Sequence, residues 1–169
     1  MIRRLDVFAR GKIWWIFLLL LGISMIGIAL VYQHMLSEWP CVLCIQVRIL
    51  FLLISLLGGI ALLIHRLNRI IPVMHGLVAL TSIVLLNRSW ILLTTERGWS
   101  EGACSIDLGM PAWFAIDQWL PNIFAAWTTC GYTPVIALGV TMAEALLLMS
   151  LFLLTLSVAM LFTVLRKSR

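Results

Sequence analysis

Charge is what this sequence has least of. Asp, Glu, Lys and Arg together make up 11% of its 169 residues, against about 25% in an ordinary soluble domain. Hydrophobic residues reach 63% and the mean hydropathy is +1.09. A water-soluble protein of this size has too much surface to carry so few charges, which excludes a soluble enzyme, a nucleic-acid binder and a disordered tail. Histidine is also sparse. The three present, His34, His65 and His75, are scattered without acidic neighbours and compose neither a metal site nor a triad. Internal repeats, low-complexity tracts and linkers are absent as well, so residues 1–169 read as a single integral membrane domain. The net charge of +5 then records orientation in a bilayer rather than affinity for nucleic acid.

Four apolar runs are long enough to cross a hydrocarbon core of about 30 Å as helices. They cover about 13–32, 41–64, 70–94 and 143–165. The basic N-terminus resembles a secretory signal, but a run of twenty residues exceeds the roughly 7–15 of a signal's apolar region. Its flank, Gln33 to Ser37, also lacks a small-residue cleavage pattern, so the first run reads as a retained anchor. Nine of the twelve Lys and Arg residues cluster at three sites: Arg3, Arg4, Arg10 and Lys12; Arg66 and Arg69; and Arg166, Lys167 and Arg169. With four spans these sites share one side, which the positive-inside rule makes cytoplasmic, together with both termini. Five of the seven acids fall in the two outer loops, about 33–40 and 95–142. Trp14, Trp15, Trp39, Trp90 and Trp99 lie near span ends and read as an aromatic belt at the headgroups. In the second outer loop, Trp113, Ile116 and Leu120 recur at helical spacing between Pro111 and Pro121, predicting a short interfacial helix. The expected fold is therefore an all-α membrane protein, a four-transmembrane-helix bundle with one short interfacial helix.

The four cysteines, Cys41, Cys44, Cys104 and Cys130, all fall on the outer side, where thiols can be oxidised. Cys41 and Cys44 form a C-x-x-C motif just after Pro40, at the start of the second span. The positive end of a helix dipole favours thiolate there. Arg48, four residues past Cys44 and seven past Cys41, shares their helical face and favours an anion too. A stapling disulfide across two intervening residues removes little unfolded-state entropy, so the pair reads as redox-active rather than structural. Cys104 and Cys130 enclose twenty-five residues, and that pair reads equally as a staple or as a shuttle. Zinc held by all four is disfavoured in an oxidising compartment. Asn87 and Arg88, late in the third span, either line a polar pocket beside Arg48 or snorkel to the interface.

Cys41-Val-Leu-Cys44 followed by Arg48, with Cys104 and Cys130 flanking Pro111-Ala-Trp-Phe and Trp119-Leu-Pro, resembles the DsbB family of membrane thiol:quinone oxidoreductases. The resemblance implies a relay. The Cys104/Cys130 pair would reoxidise a DsbA-like periplasmic thioredoxin-fold oxidase, Cys130 would resolve through Cys41, and Cys44 would face a membrane quinone (ubiquinone or menaquinone) beside Arg48. It implies a bacterial inner-membrane location with the active site periplasmic, and it moves the second pair from undecided to shuttle. Arg88 is a further candidate contact to the quinone. The sequence departs from some members, which carry a histidine just after the third span; here Glu96-Arg97 stands in that place. The competing reading is a non-catalytic membrane assembly or metal-handling protein with structural or metal-binding cysteines. Within the enzyme class, a reverse-direction quinone reductase of the vitamin K epoxide reductase type shares the helical C-x-x-C but not the loop pattern.

Overall fold

A computed structural model describes residues 11–65, 70–99, 116–128, 130–137 and 139–168. Cys104, Pro111 to Ala115 and the cations Arg3, Arg4, Arg10, Arg66, Arg69 and Arg169 lie outside these residues. Four long helices carry the fold: α1 (Lys12–Met35), α2 (Val42–Ile64), α3 (Ile71–Glu96) and, after the second outer loop, α6 (Met142–Ser168). All four are long and apolar enough to cross a membrane. Helix is the conformation these runs must take in lipid, because only there does each segment satisfy its own backbone polar groups. Between α3 and α6 lie two single turns, α4 (Ile116–Trp119) and α5 (Pro121–Phe124), and a small antiparallel ribbon of β1 (Val135–Ala137) and β2 (Val140–Thr141).

Each helix buries one stripe. On α6 the stripe is Ala143, Leu146, Ser150, Leu153, Ser157, Met160 and Val164, in steps of three and four. The facing stripe on α3 includes His75, Val78, Ser82, Leu85, Ser89 and Leu92. Serines at seven-residue intervals on both helices keep their side chains short, which lets the helices pack closely without lipid between them. The α1–α2 contact uses glycine instead. A Cβ placed on Gly22 would lie 2.6 Å from the Phe51 carbonyl oxygen and 2.7 Å from Ser55 Cβ. One placed on Gly58 would lie 2.9 Å from the Leu19 nitrogen. The bundle is closed along α1–α2, α2–α3 and α3–α6, whereas α1 and α6 barely touch.

Two tryptophans depart from the expected belt. Trp39, Trp90 and Trp99 are exposed, but Trp14 and Trp15 are fully buried. Their position near a span end predicted the interface, but their helical face decides the outcome. They lie on the same stripe as Leu18 and Gly22, so they turn into the bundle, where Trp15 packs against His75 with ring centroids 4.6 Å apart.

The expected interfacial helix, about 111–121, falls partly outside the described residues. Its described part is the single turn α4. A new turn then begins at Pro121, after Leu120 leaves helical geometry at φ −133° and ψ 65°. Ile116 and Phe124 pack these turns onto Val42 and Ile45 at the start of α2.

The end of α1 and the start of α6, which border the segments that carry the cysteines, are fixed by local chemistry. At the end of α1, Ser37 adopts a left-handed φ of 57°, and the Glu38 N–H donates back to the Tyr32 carbonyl at 3.1 Å. A left-handed residue just past the C-cap stops the helix. The start of α6 is a capping box. The Glu144 N–H donates to the Thr141 hydroxyl oxygen at 3.4 Å, and the Thr141 N–H donates to Glu144 Oε2 at 3.2 Å.

Candidate active site

Pro40 ends the short first outer loop, and Cys41 is the N-cap of α2 with extended backbone, φ −87° and ψ 170°. The helix therefore starts at Val42 and places Cys44 in its first turn. The two sulfurs are 3.1 Å apart as free thiols, about 1 Å beyond the length of a disulfide bond.

The second outer loop brings a third thiol to them. The Trp127 N–H donates to the Pro40 carbonyl at 3.0 Å, and Thr128 forms a parallel bridge with Cys41. The Trp39 and Trp127 rings lie against each other above this bridge, their centroids 5.6 Å apart. Two residues further on, the Cys130 thiol is buried and hydrogen-bonded to that of Cys41.

Past Cys130 the loop is tied to the end of α3. The Thr133 hydroxyl donates to Glu96 Oε2 at 2.7 Å, and the Thr141 hydroxyl donates to the same oxygen at 3.2 Å. Arg97 pairs with Glu144 beside them. Cys130 is thus suspended between two anchors, one at the mouth of α2 and one at the end of α3. Cys41 stands between Cys44 and Cys130.

Below the thiols, where α1 and α6 fail to close, lies a cavity of about 310 Å³. Its walls come from α1 (Met25 to Tyr32), the first outer loop (Ser37 to Pro40), Cys41, α2 (Cys44 to Phe51), the second outer loop at Thr128, Tyr132 and Pro134, and the start of α6 at Met142 and Leu146. Cys41, Cys44 and Arg48 all contribute to this lining, and most of the rest is apolar.

Arg48 is buried. One terminal nitrogen donates to Gln33 Oε1 at 2.6 Å and to the Ile123 carbonyl at 2.8 Å; the other donates to the Ala29 carbonyl at 3.2 Å. All three partners are neutral.

Of the residues singled out from sequence, Cys41, Cys44, Cys130 and Arg48 converge on one end of the bundle, and Cys104 lies outside the described residues. Arg88 is half-buried on α3 and does not line the cavity. Among the described residues no group of three or more His, Cys, Asp or Glu side chains is arranged to hold a metal ion.

Gln33 and the Glu96–Thr133–Thr141 cluster were not evident from sequence. The signal for Gln33 is its register. It lies one turn past Ala29 on the buried stripe of α1, where an amide has to find a polar partner. Asn122 and Ile123 contribute only backbone carbonyls, which no residue type announces.

A four-helix membrane protein that gathers free thiols at one end, in exchange distance of each other and beside an apolar cavity, has the makings of a membrane thiol oxidoreductase. The chain belongs to the DsbB family: residues 11–160 match the family described as Disulfide bond formation protein DsbB. It is 29% identical over 136 residues to Disulfide bond formation protein B 2 of Pseudomonas aeruginosa, covering 79% of this chain and 80% of that protein. Disulfide bond formation protein B of Shewanella loihica is 29% identical over 140 residues, covering 81% of each chain. That of Vibrio vulnificus is 30% identical over 131 residues, covering 75% of this chain and 74% of the relative. The family makes this protein an oxidoreductase of disulfide bond formation. With its four spanning helices it is a multi-pass protein of the inner membrane.

Proposed function

We propose that the protein passes oxidising equivalents from a membrane quinone to a DsbA-like periplasmic thioredoxin-fold oxidase. The observation that carries this reading is the order of the sulfurs, with Cys130 against Cys41, Cys41 against Cys44, and Cys44 on the wall of an apolar cavity with Arg48. The partner's dithiol reduces a Cys104–Cys130 disulfide and leaves as a disulfide, with Cys104 forming the mixed disulfide. The Cys130 thiolate then attacks Cys41 Sγ, breaking the Cys41–Cys44 bond and releasing Cys44 as the thiolate. Cys104 displaces Cys41 from Cys130, which restores the loop disulfide and leaves Cys41 and Cys44 reduced. A thiolate is the required nucleophile at each exchange, and it must reach its target sulfur along a mobile path.

The cavity suits a quinone. Its volume lies at the small end of ligand pockets, about 300–1,000 Å³. Its walls are mostly apolar, with Arg48 as a cationic donor and Glu38 as the one acid, which suits a ring with carbonyl oxygens and an isoprenoid tail. Bound there, a quinone supplies the two-electron oxidant that returns Cys41 and Cys44 to the disulfide. Cys44 presents the sulfur, Arg48 donates hydrogen bonds and a positive charge at the wall, and the apolar lining excludes water. The two protons leaving the thiols accompany the two electrons. Positive-inside charge supports a cytoplasmic side for both termini and a periplasmic side for the thiols.

The decisive experiment supplies purified protein with reduced partner and a soluble ubiquinone or menaquinone analogue. Wild type reduces quinone, and Cys44→Ser abolishes that reduction while still forming the mixed disulfide with the partner. Thiol trapping in membranes gives the opposing outcome: if all four cysteines stay locked when quinone is depleted and reduced partner is present, the relay is wrong.

A further inference from the structure

The contacts around Arg48 have a chemical logic that the relay does not use. Gln33 is buried on α1, 5% exposed, and its amide bridges two elements. Oε1 accepts from Arg48 Nη1 at 2.6 Å, and Nε2 donates to the Asn122 carbonyl at 2.9 Å. The orientation is fixed by chemistry. A guanidinium has only donors and a carbonyl only accepts, so the amide oxygen must face Arg48 and the amide nitrogen must face Asn122. The same Arg48 nitrogen donates to Ile123, the next residue of the loop, at 2.8 Å. Helix α1, helix α2 and the outer loop therefore meet in one closed set of hydrogen bonds, four residues before Trp127 and seven before Cys130.

Residue type matters at position 33. Asparagine is one methylene too short to span both partners, and leucine satisfies neither. Glutamate would satisfy Arg48, but it would leave the Asn122 carbonyl facing an acceptor and would cancel the guanidinium charge. Glutamine alone holds both neighbours and stays neutral. A buried cation bonded only to neutral oxygens is costly to maintain. It is useful where an anion forms transiently beside it, and Cys44 is one helical turn away on the same face.

We propose that Gln33 is a positioning residue: its amide holds Arg48 at the cavity wall with the positive charge uncompensated, and ties that placement to docking of the loop that carries Cys130. This rests on the relay proposed above and extends it, because charge at Cys44 and delivery of Cys130 then share one junction.

The test uses full-length, fully reduced protein in detergent, alkylated by iodoacetamide at neutral pH and resolved cysteine by cysteine by mass spectrometry. Gln33→Glu and Gln33→Leu separate the two roles. In Q33E the alkylation of Cys44 slows about tenfold, because thiolate is the reacting species and a carboxylate removes the attraction of one nearby charge. In Q33L it slows less, about threefold, because the charge stays but Arg48 loses one of its three anchors. In both variants Cys130 loses protection and reacts several-fold faster, since each lacks the bond to Asn122. Gln33→Asn gives the same exposure of Cys130 should Q33L fail to accumulate. The proposal is overturned if Cys44 in Q33E reacts at the wild-type rate, if Q33E and Q33L slow it equally, or if Cys130 stays protected in both. Quinone reduction by wild type with reduced partner, run alongside, tests the relay itself: its failure removes the electron path while the alkylation rates still decide what Gln33 positions.

Discussion

The two long seams of the bundle are built differently. Along α3 and α6, Ser82, Ser89, Ser150 and Ser157 are fully buried between layers of Val, Leu and Met, and the helices close on each other. Across the bundle, α1 and α6 stay apart, and the space between them is the cavity that reaches Cys41, Cys44 and Arg48. Both seams bury polar groups in a setting where lipid offers no partners. In the closed seam the polar groups are small, and two of the four serines bond back to their own helix: Ser82 to the Val78 carbonyl and Ser150 to the Leu147 carbonyl, each at 2.8 Å. At the open seam the polar group is a full charge, bonded to a different helix and to a loop. A seam of small, uncharged hydroxyls can shut. One that holds a guanidinium with neutral partners stays available to an anionic ligand.

Removing the charge tests the open seam most severely. Arg48→Ala leaves the Gln33 amide and two backbone carbonyls without their donor, and charge-assisted hydrogen bonds of this kind contribute about 1.5–3 kcal/mol each. Quinone reduction is expected to fall at least about tenfold on that scale, whereas the apparent KM for the reduced partner changes less than about threefold. Steady-state kinetics with quinone and partner varied in turn check the split. A change confined to the partner's KM would place Arg48 at the wrong site.

The glycine contact that sets α1 against α2 comes next. Gly22→Val places two methyl groups where the Phe51 carbonyl and Ser55 already stand. Overpacking of this kind costs about 1–3 kcal/mol. Thermal unfolding in detergent reads the loss directly. Gly27→Val is the control, because a Cβ at Gly27 meets nothing within 4 Å and no comparable clash is expected.

How legible these features were depended on whether they are carried by side-chain pattern or by backbone. Four helices follow from apolar runs and lipid chemistry alone. Cys41, Cys44 and Arg48 follow from spacing on one helical face. The capping box at the start of α6 stands in the sequence as Thr141-x-x-Glu144. Contacts made through main chain left no such trace. The strap from Trp127 to Pro40, the Thr128–Cys41 bridge and the carbonyls of Asn122 and Ile123 depend on where a long loop lands. The burial of Trp14 and Trp15 was misread because position along a span was weighed above helical face. Arg88, which the sequence offered either to a pocket beside Arg48 or to the interface, sits on a helix that contributes no residue to the cavity lining.

Two smaller effects sharpen the contrast between the seams. Thr141→Ala removes the hydroxyl that caps α6 and also donates to Glu96. Loss of an N-cap costs about 0.5–2 kcal/mol, and here the β-ribbon end of the loop is expected to loosen before the bundle does. Hydrogen exchange at residues 133–141 should rise while the centre of α6 stays protected.

Ser157→Ala has the smallest expected effect and the opposite sign. Ser157 is fully buried in the closed seam, and its hydroxyl has no hydrogen-bond partner among the described residues. A buried, unsatisfied polar atom costs about 1–3 kcal/mol, and replacing it with an apolar group of similar shape is neutral or stabilising. Alanine keeps the small side chain that close approach requires and removes only the hydroxyl. The variant should melt at or slightly above the wild-type temperature, with quinone reduction unchanged because the residue lies away from the cavity lining. A clear drop in melting temperature would mean that the hydroxyl bridges the helices, so that the closed seam, like the open one, depends on a polar bond between elements.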